Sequence, residues 1–229
     1  MLTVAESRPT ERAQFIQKTY LHLAGAVGAF TVVSVLLFQS GIAAAITQFI
    51  ASSRFTWLAI LAAFAVLGWM SRSLAAKADS IQSQYMGLGI FVVAQALIFS
   101  PILYIAATFS DPTVIPTAGI LTLLLFAGLT AVAFITKKDF SFLGGILTIG
   151  GFIALGLIIC SVIFGFTLGL IFSAVMVLFA SAAILYDTSK VMHNYATHQY
   201  VAASLELFAS VALLFWYVLQ IVMSLSSRR

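Results

Sequence analysis

An all-α integral membrane protein with seven transmembrane helices is what this sequence predicts, on three observations. Of its 229 residues, 62% are hydrophobic and only 8% are charged, whereas a soluble domain carries about a quarter charged residues. The mean hydropathy is +1.12. The apolar residues fall in unbroken Ala/Leu/Ile-rich runs, not in the alternating segments of a lipid-facing barrel. Lipid offers no hydrogen-bonding partner to the backbone, so runs of this kind must close their own bonds as helices.

The spans are expected near residues 20–38, 55–70, 86–109, 114–135, 143–164, 168–186 and 201–224. The first contains the run Leu21–Phe38, longer than the apolar part of a signal peptide and preceded by Glu6 and Glu11, so it reads as an uncleaved span. The second is short, and extension back to Arg54 gives it length for a ~30 Å hydrocarbon core. The third carries Pro101, where a kink is expected, with Ser100 beside it to help satisfy the freed backbone groups. Ser110-Asp111-Pro112 turns the chain into the fourth, and Phe164–Thr167 turns the fifth into the sixth. Gly144, Gly145, Gly150, Gly151 and Gly156 give the fifth a small-residue face for close helix contact. Ala24–Gly28 and Gly165–Gly169 read the same way. The lone cysteine, Cys160, lies inside the fifth run as a small apolar residue. Residues 1–19 are then an N-terminal tail, 20–225 the seven-helix domain and 226–229 a short C-terminal tail.

The net charge of +4 and pI near 9.4 do not point to nucleic acid, because the basic residues form no single patch. Arg8, Arg12, Lys18, Arg72, Lys77, Lys137, Lys138 and Lys190 fall on one side of the seven-span arrangement, against Arg54 alone in the opposing loops. The side rich in lysine and arginine is the cytoplasmic one, so the N-terminus is expected in the cytoplasm. Arg228 and Arg229 run against that trend.

Five of the seven acids (Glu6, Glu11, Asp79, Asp111 and Asp139) sit in the leader or in loops. Asp187 instead closes the sixth span, and Glu206 lies about a turn and a half inside the seventh. Two carboxylates at similar depth invite a proton path or a transient cation site, and two that share a site cannot both ionise freely. The alternatives are a helix-end role for Asp187 and an ion pair of Glu206 with Arg72 or Lys190. Other chemistries lack their residues. A retinal protein needs a Schiff-base lysine, and the seventh span has none. His193 and His198 are five apart on one loop, and His22 is remote, so no zinc ligand set is legible. There is no Gly-x-Ser-x-Gly elbow and no phosphate-binding loop. Neither catalysis nor a cofactor is expected.

Three strings carry a resemblance: Lys137-Lys138-Asp139-Phe140-Ser141-Phe142-Leu143-Gly144-Gly145, Ile184-Leu185-Tyr186-Asp187-Thr188-Ser189-Lys190, and Tyr200 to Phe208 with its Leu205-Glu206-Leu207. In this order, on seven spans, they resemble the Bax inhibitor-1 (transmembrane Bax inhibitor motif) family over nearly the whole chain. The resemblance implies six helices wrapped around a central seventh, and a pH-sensitive calcium leak. In such a leak two aspartates share a proton and an arginine near the end of span two completes the latch. Asp187 matches the first aspartate and Arg72 the arginine, while the second aspartate falls at Ser210, which cannot share an ionisable proton. Glu206 lies four residues earlier on the same helical face, so a carboxylate could have moved one turn. Asp187 and Glu206 are accordingly the expected gate and transient Ca²⁺ contacts. The serine and the KKD-x-SFLGG form also resemble a bacterial branch that interacts with the membrane-anchored AAA protease and its regulators. The first expectation is therefore a passive, proton-gated cation leak of a bacterial inner membrane. The second is a modulator of that protease, presenting its N-terminal tail, Met1–Thr19.

Overall fold

The computed structural model describes residues 3–77 and 80–227. The Asp79 loop position and the tail arginines Arg228 and Arg229 lie outside the described residues. Eight helices follow one another: α1 (Pro9–Gln39), α2 (Ile42–Ala51), α3 (Arg54–Ala75), α4 (Ile81–Phe109), α5 (Val114–Thr136), α6 (Leu143–Phe164), α7 (Gly169–His193) and α8 (Tyr200–Ser226). Seven are long and apolar enough to cross a membrane; α2 is the short exception. Among the described residues the only extended pairing is one antiparallel bridge, Thr3 with Ala196.

Two features depart from the sequence reading. The segment Ile42–Ala51 was expected as a connection and is helical. It is largely apolar but too short to span, and it packs against α4. Near the N-terminus, α1 begins at Pro9, inside the expected tail, with proline at its first turn, where a missing N–H costs nothing. The residues before it are folded down as well. Val4 is fully buried, and its N–H donates to the Tyr195 carbonyl at 2.8 Å.

The expected proline adaptation is present. Pro101 lies inside a continuous α4 and cannot donate to the Leu97 carbonyl four residues back. The Ser100 hydroxyl donates to that carbonyl instead, at 2.7 Å.

α4 and α8 are the most buried spans. α8 packs against α1, α3, α4, α5 and α7, with Leu205, Leu207, Phe208, Leu214 and Leu219 all essentially inaccessible. α6 packs on α7 and α3 and meets α8 through the small cluster of Ala154, Met176 and Tyr217. Its outer face, with Phe152 and Ile149, is open, as expected of a helix that faces lipid on most sides.

The glycines divide by environment. An added Cβ at Gly144 would lie 3.1 Å from the Tyr186 ring and one at Gly150 3.0 Å from Phe179, so these two do serve close α6–α7 contact. Gly25, Gly28, Gly145 and Gly156 meet nothing within 4 Å. Gly165 ends α6 with a left-handed φ of 74°, a turn role and not a packing one. The closest approach is one the sequence did not reveal. A Cβ at Gly87 would sit 2.5 Å from the Ser71 carbonyl oxygen and 2.8 Å from the Ala75 nitrogen, so α3 and α4 touch backbone to backbone beside Arg72.

Candidate functional site

The strings that open the fifth span and close the sixth meet. Asp139 accepts from the Ser141 N–H at 2.9 Å and from its hydroxyl, closing the turn that leads into α6. The Phe140 N–H donates to the Ser189 hydroxyl at 3.0 Å, and that hydroxyl donates to Asp139 at 3.4 Å. These bonds to the Asp139 carboxylate, the Ser141 hydroxyl first, hold its pKa below the usual carboxylate value. The α5–α6 loop is thereby tied to the last turns of α7, two residues beyond Asp187.

Asp187 points inward from α7 and is 9% exposed. The Ser210 hydroxyl on α8 donates to its Oδ2 at 2.5 Å. This is the α8 position where the family resemblance placed an acid, so a hydroxyl donor stands where a second carboxylate was expected.

Glu206, one turn earlier on α8, takes a different partner. The Arg72 Nε donates to both its oxygens, at 3.0 and 3.1 Å. The guanidinium carbon also lies 5.4 Å from the Phe91 ring centre. Of the alternatives left open by the sequence, Glu206 pairs with Arg72; the Lys190 ammonium instead lies over the rings of Tyr186 and Tyr195. The pair is 45% and 27% exposed, with Arg72 in the last turn of α3.

All four expected site residues thus gather where α3, α7 and α8 converge. The connection Asn194–Gln199 covers them. Tyr195 sits in it, its ring tilted against Phe15 at 6.4 Å and its carbonyl bonded by the Val4 N–H. Burial, with the Glu206 and Asp187 carboxylates close by, pushes the Tyr195 phenol far up.

From this cluster a crevice of about 650 Å³ runs between α3, α4, α6, α7 and α8. Arg72, Glu206 and Ser210 line one end, and Thr167, Gly169 and Gln220 the other. Its walls are otherwise largely apolar and aromatic, including Phe64, Phe99 and Trp216. As to metals, no group of three or more His, Cys, Asp or Glu side chains converges among the described residues. Both Glu206 oxygens are already engaged by Arg72, and one Asp187 oxygen by Ser210.

Known proteins resemble this sequence. The sequence profile of the family described as inhibitor of apoptosis-promoting Bax1 matches residues 12–228. An uncharacterized membrane protein of Vibrio cholerae is 31% identical over 223 residues, 96% of this chain and 93% of that protein. The modulator of FtsH protease YccA of Escherichia coli is 34% identical over 128 residues, 55% and 57% of the two chains. An uncharacterized Pseudomonas aeruginosa protein is 43% identical over 110 residues, 48% and 49%. The aligned region spans about half the length of the last two relatives.

Proposed function

Because the chain belongs to the Bax inhibitor-1 family, as a multi-pass membrane protein, we propose that it is a proton-gated cation leak of a bacterial inner membrane. Ca²⁺ is the cargo, and gating is by protonation around Asp187 and Glu206. The observation that carries this reading is the position of the Arg72–Glu206 pair and the Asp187–Ser210 bond, together at one end of the crevice.

The gate follows from elementary charge chemistry. α3 leans on α4 along its length and touches α8 far less, so the Arg72–Glu206 bond is a principal tie between α3 and α8. It requires an ionised Glu206. Protonation removes the charge, weakens the tie and frees α3 to move from the mouth of the crevice. Leak should therefore rise as pH falls. Asp187 stands near Glu206, with Arg72 and Lys190 as the nearby cations. Like charges close together hinder each other's ionisation. Among the described residues no ring of acids surrounds the crevice, which suits a low-affinity leak better than a tight selective site. The lysine and arginine bias supports a cytoplasmic side for this mouth and the N-terminus.

A second reading, modulation of a membrane-anchored AAA protease, is favoured by the similarity to the Escherichia coli protein named for that role. On this reading the N-terminal segment is the part offered to the partner, and it would have to leave its seat on Tyr195 to do so. Purified protein in liposomes separates the two. Ca²⁺ flux above that of empty liposomes supports the leak. Sealed vesicles, with the protein still slowing substrate degradation by the reconstituted protease, support the second reading and defeat the first.

A further inference from the structure

Five residues of α8 recur at helical spacing on one face: Glu206, Ser210, Leu213, Tyr217 and Gln220. All five line the crevice. From Glu206 to Gln220 the helix rises about 21 Å, most of a ~30 Å hydrocarbon core. A membrane-buried helix has no reason of stability to keep such a stripe polar at both ends. At the end remote from Arg72, the Ser173 hydroxyl donates to the Gln220 Oε1 at 2.9 Å, and Ser173 is only 4% exposed. Thr167 and Ser161 line the same end. Arg72 and Glu206 are the only charged side chains among the lining residues, so this end offers neutral oxygens alone.

We propose that the Ser173–Gln220 pair is the second mouth of the crevice and the place where the permeating cation is selected. This rests on the leak reading and names the determinant of its selectivity. Neutral hydroxyl and amide oxygens replace part of a cation's hydration shell without holding it tightly. Between the two mouths Leu213 interrupts the polar stripe with an apolar side chain, and apolar stretches of a pathway can block ions by excluding water. Opening at Arg72–Glu206 then admits ions to a lane whose preference is set about 21 Å away.

The test measures Ca²⁺ and K⁺ flux side by side in liposomes holding the full chain. Gln220→Leu should lower both fluxes severalfold, and Gln220→Glu should raise the Ca²⁺/K⁺ ratio severalfold by adding a charge at the mouth. Ser173→Ala, which removes the hydroxyl with little change in volume, should lower flux in the same direction if Gln220→Leu does not fold. Parental rates and ratio in these variants, while Arg72→Ala still changes flux, would overturn the proposal. If neither the parent nor Arg72→Ala conducts, the leak reading itself has failed, and accessibility decides the mouth. In a Cys160→Ser background, Gln220→Cys should react with a membrane-impermeant thiol reagent and Leu213→Cys should not. An unreactive Gln220→Cys means that the crevice does not open there.

Discussion

Arg72 gives a single N–H, its Nε, to both oxygens of Glu206, while its guanidinium also lies near the Phe91 ring. A partly exposed ion pair adds only about 0.2–1 kcal/mol to stability, so its removal should be visible in function more than in folding. Arg72→Ala should raise basal Ca²⁺ leak at pH 7 severalfold with little change in Tm. Arg72→Lys should restore closure only in part, because an ammonium keeps the charge but loses the planar contact with Phe91. Flux in liposomes and a melting curve in detergent check both, and parental flux in the two variants would leave Arg72 a topology residue only. The Arg72–Glu206 pair was legible as one of several options, since the sequence has few charges inside its spans. That Ser210 faces Asp187 was legible only through the family resemblance. Ser173 and Gln220 were missed because the sequence search followed charges, although the four-three-four-three spacing from Glu206 to Gln220 was there to be read.

Among the elements, α3 carries the proposed gate residue Arg72 and packs chiefly on α4. Their contact at Gly87 is so close that a methyl group would collide with backbone atoms of Ser71 and Ala75, which cannot move as a side chain would. Gly87→Ala should therefore push α3 outward beside Arg72, at a cost of about 1–3 kcal/mol from overpacking. A lowered Tm together with raised leak is the expected outcome. Gly145→Ala, whose Cβ meets nothing within 4 Å, is the matched control and should change neither. The seven long helices were readable because hydrophobic length is a local property. Gly87 was not, since its constraint lies in the carbonyl of a facing helix. The same reason hid the N-terminal fold. Val4 is buried by Tyr195, almost two hundred positions along the sequence, and nothing near Val4 announces it. α2 escaped notice because it is apolar like a span but only ten residues long.

Across the whole molecule, the account makes one end of an internal crevice proton-sensitive and leaves the other neutral. Its central claim is that Glu206 supplies the titrating carboxylate in a chain whose α8 carries Ser210 beside Asp187. The most direct measurement is Ca²⁺ flux in liposomes across pH 5–8 for the parent, Glu206→Gln, Asp187→Asn and the double variant. A Ser210→Asp change placed in the Glu206→Gln background completes the set. The account predicts parental flux that rises as pH falls, and a flattened, raised profile for Glu206→Gln. Asp187→Asn should also flatten the profile, and the double variant should add little, because groups that act as a unit are not additive. Ser210→Asp should bring back pH dependence by returning a second carboxylate to the site. A Glu206→Gln profile that overlays the parent's while Asp187→Asn alone alters it would contradict the claim.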